Sequence, residues 1–126
     1  MGAFEPVSFK VASTLAAQRI VTCVTGTGNT VKYPAAATER PLGVTVDTVL
    51  DTVNAIPVAV SGIAKVYFNA AVTSGNMVAA DSNGMGVAHT DTTAGSYIVG
   101  VLVGPTVAAT GTIAEVLIQP HFKSIP

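Results

Sequence analysis

The sequence predicts an all-β protein: a compact barrel or sandwich of two tandem pseudo-repeats of short strands, with an extended arm at each end. Three observations carry that reading. The aliphatic residues are largely β-branched, 20 Val and 7 Ile against 5 Leu, with 16 Thr beside them. Such side chains suit a pleated surface better than a helix. Apolar residues recur with period two, and clusters rich in Gly, Asn and Ser punctuate the apolar runs at short intervals.

Taken in order, residues 1–12 contain Phe4, Pro6, Val7 and Phe9 and read as an extended arm, because proline is poorly tolerated inside a sheet. Ser13–Gln18 fits one helical turn capped by Ser13 or Thr14. Nine strands are expected near 19–24, 30–33, 42–47, 56–60, 63–68, 76–80, 85–88, 97–103 and 112–119. Val44 and Val46, then Val58 and Val60, alternate with Thr45 and Ala59, and Ile113, Glu115 and Leu117 alternate with Ala114, Val116 and Ile118. The run Tyr97–Val103 suits a strand buried on both faces and stops at Gly104-Pro105. Turns are marked by Thr25-Gly26-Thr27-Gly28-Asn29, Ser61-Gly62, Thr73-Ser74-Gly75-Asn76, Asp81-Ser82-Asn83-Gly84 and Ala94-Gly95-Ser96. Asn83-Gly84 is the strongest of these, since both residues tolerate positive φ in a tight hairpin. Residues 120–126, with Pro120, His121, Phe122, Ile125 and Pro126, read as the second arm.

Set against itself at an offset of 57, the chain places Val21 on Val78, Gly43 on Gly100, Val44 on Val101 and Val46 on Val103, with Ile20 on Met77. The offset then shifts to 50, where Ile63-Ala64-Lys65-Val66 falls on Ile113-Ala114-Glu115-Val116. This frames a single β domain over 1–126, with pseudo-repeats at 14–68 and 71–119, an arm at 1–12 and a tail at 120–126. The polar stretch Asp47–Asn54 of the first copy reads as a surface loop missing from the second.

Charge narrows the function. Only 13 of 126 residues are Asp, Glu, Lys or Arg, for a net charge of −1. That excludes a basic protein that binds nucleic acid by neutralising phosphates. The apolar runs are too short to span a membrane, and Glu5, Pro6, Lys10 and Arg19 interrupt any secretion signal. A monomer of this mass exposes about 6,000 Å², of which so few charged side chains would cover roughly a fifth. The surface is therefore expected to be covered in part by other chains, with the arm residues Phe4, Val7, Phe9, Phe122 and Ile125 as contacts to another subunit.

Reactive groups are sparse. His89 and His121 have no ligand or carboxylate at useful spacing, and Cys23, set among Ile20, Val21 and Val24, is expected to be buried and inert. Gly26-Thr27-Gly28 lacks the Lys and the following helix of a phosphate loop, and Asp81-Ser82-Asn83-Gly84-Met85 lacks the later ligands of a calcium loop. Asp47 and Asp51 sit in a Thr-rich loop with no companion acid. No catalytic residue, metal or cofactor is expected, and the protein reads as a non-enzyme.

The segments Ala17-Gln18-Arg19-Ile20-Val21, Arg40-Pro41-Leu42-Gly43-Val44, Val60-Ser61-Gly62-Ile63-Ala64-Lys65-Val66, Val72–Val78, Ile98-Val99-Gly100-Val101 and Gly111–Ile118 occur in one order. In that order the chain resembles the capsid cement, or head decoration, proteins of tailed bacteriophages over roughly 14–119. The resemblance implies a structural virion protein, made in the host cytoplasm, that binds the outer surface of an icosahedral capsid. It would stabilise the shell by bridging neighbouring major capsid protein subunits, as a homo-oligomer with a trimer favoured, without nucleic-acid or membrane contact. The chain departs from that family at Gln18-Arg19, where a small residue and Gly are usual, and in the Asp47–Asn54 loop. A second reading is a carbohydrate- or cell-surface-binding β-module of a phage fibre; the chain offers no Trp and only Tyr33, Tyr67 and Tyr97 among tyrosines for sugar stacking. A third is a carrier-type hammerhead, which wants a modifiable Lys at a hairpin tip, whereas Lys32 and Lys65 fall in predicted strands.

Overall fold

The computed structural model describes residues 6–12, 15–24, 26, 28–34, 40–46, 55–88, 96–107 and 110–123. Among these residues ten strands follow one another: β1 (Pro6–Val11), β2 (Ile20–Cys23), β3 (Thr30–Lys32), β4 (Pro41–Thr45), β5 (Ile56–Ala59), β6 (Gly62–Tyr67), β7 (Met77–Ala80), β8 (Gly86–Ala88), β9 (Ser96–Leu102) and β10 (Ile113–Lys123). The fold is all-β. The first five strands close into a barrel of order β1-β3-β2-β4-β5, and the last five form a sheet of order β6-β10-β9-β7-β8. All nine expected strands are present, and the tenth, β1, lies in the segment read as an arm.

Hydrogen bonding shows that the two sheets are copies of one unit, with β1 to β5 corresponding in order to β6 to β10. Adding 57 to the residue numbers of β1, β2 and β4, 55 to β3 and 58 to β5 converts one set of pairs into the other. Thus Ile20↔Val44 and Val21↔Gly43 become Met77↔Val101 and Val78↔Gly100. Likewise Pro6↔Ala59 becomes Ile63↔Leu117, and Thr22↔Lys32 becomes Ala79↔Val87. The parallel pair Val11↔Val31 that helps close the barrel becomes the single parallel bridge Phe68↔Gly86. Bonds outside the strands follow suit: the Gln18 N–H donates to Thr45 O as the Gly75 N–H does to Leu102 O.

This pairing redraws the repeat. The boundary falls at Val60-Ser61, between β5 and β6, not at 68–71. The match of Ile63–Val66 to Ile113–Val116 equates β6 with β10, the first and last strands of one unit, which lie side by side with Lys65 opposite Glu115. The arms are corrected too. Residues 6–11 of the expected N-terminal arm form β1, antiparallel to β5, and His121–Lys123 continue β10 along β9. The prolines fit because Pro6 is the first residue of its strand and Pro120 falls at the register irregularity between Ile118 and His121, where the ladder is interrupted. Of the expected helical turn, Ser13 and Thr14 lie outside the described residues, and Ala17-Gln18 is a turn with Gln18 at φ 62°.

Alternation along the strands gives two cores. Val11, Leu15, Val21, Val31, Ile56 and Val58 fill the barrel. On the outside of the barrel, the cross-strand row Ile20–Val44–Ala59 is fully buried and belongs to the second core, with Val66, Phe68, Val78, Leu102 and Val116. The first unit therefore inserts its outer face into the second, which among the described residues is closed by the single bridge Phe68↔Gly86. Burying the Ile20 and Val44 side chains is worth about 1.5–3 kcal/mol each, so this contact holds the two units together. At the seam of the second unit the packing is redistributed. A Cβ on Gly86 would approach the Phe68 ring to 2.8 Å, so Phe68 with Gly86 fills the place that Val11 with Val31 fill in the first unit.

Candidate interaction surface

Three of the five expected contact residues lie in described strands. Phe9 is half-buried against the barrel core and packs with its unit. Val7 lies in β1 opposite Val58, and Phe122 in β10 opposite Tyr97. Phe4 and Ile125 lie outside the described residues, as do His89 and the Asp47–Asn54 loop. Cys23 corrects its expectation: it is exposed. The register slips between Val21 and Thr22, so strict alternation does not carry through to Cys23.

The segment Ala16–Arg19 joins the units. The Tyr33 hydroxyl accepts the Ala16 N–H at 2.7 Å. The buried Thr45 hydroxyl donates to Ala16 O at 2.7 Å and accepts the Arg19 N–H at 3.0 Å. Gln18 then bridges, its N–H donating to Thr45 O in the barrel and its carbonyl accepting the Tyr67 N–H of β6. The Arg19 guanidinium stacks over the Tyr67 ring, 4.2 Å from its centroid. At the far side of the junction Ile20 N–H donates to Gly84 O at 2.6 Å. Gly84, in the β7–β8 turn at φ 73°, admits no Cβ, which would meet Ile20 O at 2.6 Å. That turn is the hairpin expected from Asp81–Gly84, and the Asp81 carboxylate accepts the N–H groups of Asn83 and Met85.

Beside this junction the outer face of the second sheet is open. Its cross-strand row Ile63–Leu117–Val101–Met77 is half-buried. The next row carries Lys65 opposite Glu115, both exposed, with Val103 47% exposed beside them. Beyond it lies Ile113, 46% exposed. Gln18, Lys65, Pro105, Ile113 and Glu115 line a shallow open depression of about 530 Å³ there. Sequence reasoning missed this face, because period two places Val and Ile on both sides of a strand. The signal was the offset itself, since Met77, Val101 and Leu117 are the counterparts of Ile20, Val44 and Ala59.

Among the described residues no three His, Cys, Asp or Glu side chains gather as a metal site requires. No described helix is long and apolar enough to cross a membrane.

The fold is a duplicated five-stranded β module. Neither a family model nor a curated protein matches the chain. Its architecture is similar to the solved structure of the head fiber gp8.5 N base in bacteriophage phi29, with a TM-score of 0.70 and 16% identity over 92% of this chain and 94% of that one. This likeness corrects the resemblance to capsid cement proteins and the bridging role drawn from it: a solved structure with this architecture is a head-fibre base, not a decoration protein. The physical reason is that the motifs behind the resemblance are strand–turn elements of the two five-stranded units. Gly43-Val44, Gly100-Val101 and Thr73–Asn76 set pairing register and turns, which many duplicated β-barrels need.

Proposed function

We propose that this chain is a non-catalytic structural module of a phage head appendage, of the fibre-base kind, carried on the outer surface of the virion. What supports the reading is that the likeness to a head-fibre base runs through both units, at a TM-score of 0.70 over nearly the whole of each chain. A low charge content and a surface with apolar sheet faces suit a part that works by contact with other proteins. The major capsid protein is its anchoring partner in this proposal. The test is cryo-electron microscopy of particles of the encoding phage, with the chain tagged at its C terminus and gold-labelled. Label at a limited set of fibre attachment points is the expected result. Label spread over the whole shell lattice, or absent from particles, would overturn the reading.

A further inference from the structure

We propose that β8 and its Asp81–Gly84 turn form a flap over the Phe68 ring, which opens while the rest of the fold stays closed. The argument is independent of the fibre reading and rests on matched strands. In the first unit the corresponding strand, β3, is anchored by the Val31 side chain, fully buried in the barrel core. It is also laddered to β1 at Lys10↔Thr30 and Val11↔Val31. In β8 the counterpart of Val31 is Gly86, which puts no side chain into the core. The neighbouring Val87 and Ala88 are only half-buried. β8 is three residues long and stands at the end of its sheet, beside β7 alone. An element with so few buried apolar contacts lies at the low end of local stability.

Hydrogen bonds across the seam hold the flap shut. The Asn69 N–H donates to Gly86 O at 2.9 Å, as the Ala12 N–H donates to Val31 O at 3.0 Å in the first unit. The other bond of that first seam, from the Lys10 N–H to Asn29 O, is rerouted in the second. The Tyr67 N–H, counterpart of Lys10, donates to Gln18 O, while Gly84 O, counterpart of Asn29 O, accepts the Ile20 N–H. The segment Gln18–Ile20 therefore lies between β6 and the flap and bonds to both. At the exposed rim the Asn69 side-chain amide also donates to the Asp81 carboxylate at 2.8 Å. Swinging the flap outward frees the Ile20 and Asn69 N–H groups and uncovers Phe68. It leaves the Tyr67 N–H bonded to Gln18 O.

Native-state hydrogen exchange of the full chain, read amide by amide by NMR and corrected for intrinsic rates, tests this. Ile20 and Asn69 are expected to exchange in step, roughly tenfold or more faster than Tyr67 and than Ala12, the counterpart of Asn69. Gly84→Ala, whose Cβ would meet Ile20 O at 2.6 Å, speeds Ile20 and Asn69 further and leaves Tyr67 unchanged. Gly75→Ala controls for backbone strain, since Gly75 is also left-handed but a Cβ there meets nothing within 4 Å; it leaves all three amides unchanged. Circular dichroism confirms that both variants are folded. Asn69 no faster than Ala12, Tyr67 exchanging in step with Ile20, Gly84→Ala without effect, or Gly75→Ala acting as Gly84→Ala does would each overturn the inference.

Discussion

The two units have the same strand order and nearly the same register, yet one is sealed and the other is not. In the first, β1 and β3 pair in parallel at Lys10↔Thr30 and Val11↔Val31, and six apolar side chains fill the interior. In the second, the same seam is reduced to Phe68↔Gly86, and the core is completed by Ile20, Val44 and Ala59 from the first unit's outer wall. Duplication of a barrel therefore does not by itself give two independent barrels. One copy becomes the plug of the other, and the equivalent row of the second copy, Met77–Val101–Leu117, is only half-buried.

The strongest way to break this comparison is to put one charge at equivalent positions. Val44→Asp buries a carboxylate in the shared core, and is expected to cost about 4 kcal/mol or more. Val101→Asp, half-exposed on the open face, should cost about 1 kcal/mol in the dilute monomer. Urea denaturation followed by circular dichroism measures both. Equal losses would mean that the inter-unit contact contributes little to stability.

The seam itself can be rewritten. Gly86→Val drives two methyls against Phe68 and should cost about 2–3 kcal/mol, while Phe68→Val leaves a cavity costing about the same. The double variant rebuilds the Val-Val pair of the first unit, so its loss should fall short of the summed single losses by about 1–2 kcal/mol. Strict additivity in a double-mutant cycle would show that the two sites do not share packing. Thr45→Val tests the strap: it keeps the volume but removes the hydroxyl between Ala16 O and the Arg19 N–H. A loss of about 1–3 kcal/mol is expected, and no measurable change would show that water replaces those bonds.

These sites also show what could be read from sequence. The β class and nine strands were legible because Val, Ile and Thr in period two have few other uses, and the +57 offset was visible in Val21/Val78 and Gly43/Gly100. β1 was not, because Pro6 beside two phenylalanines reads as a tail unless its partner β5 is known, and strand pairing is non-local. The frame of the repeat slipped for a related reason. β6 and β10 are alike because each flanks the other and buries Val66 and Val116 on one side while exposing Lys65 and Glu115 on the other. The open face was hidden by chemistry: Met77, Val101 and Leu117 are as apolar as Ile20, Val44 and Ala59, and only the packing of the two units distinguishes them.

The finest contrast lies in a single turn. Gln18 and Gly75 occupy equivalent positions, both left-handed at φ 62° and φ 90°, and both donate their N–H to the strand behind, at Thr45 and Leu102. A non-glycine residue in that region costs about 1–2 kcal/mol. Glycine there gives back part of the gain through the extra freedom of the unfolded chain, about 0.5–1 kcal/mol. Gln18→Gly is therefore expected to stabilise by up to about 1 kcal/mol, a rise of a few degrees in Tm. Gly75→Gln, where a Cβ would meet nothing within 4 Å, should destabilise by a similar amount for backbone reasons alone. Opposite signs in calorimetry are the expected result. If Gln18→Gly instead lowers Tm, then the Gln18 side chain contributes to the junction beside Lys65 and Glu115, and the turn is held by more than the backbone bonds to Thr45 and Tyr67.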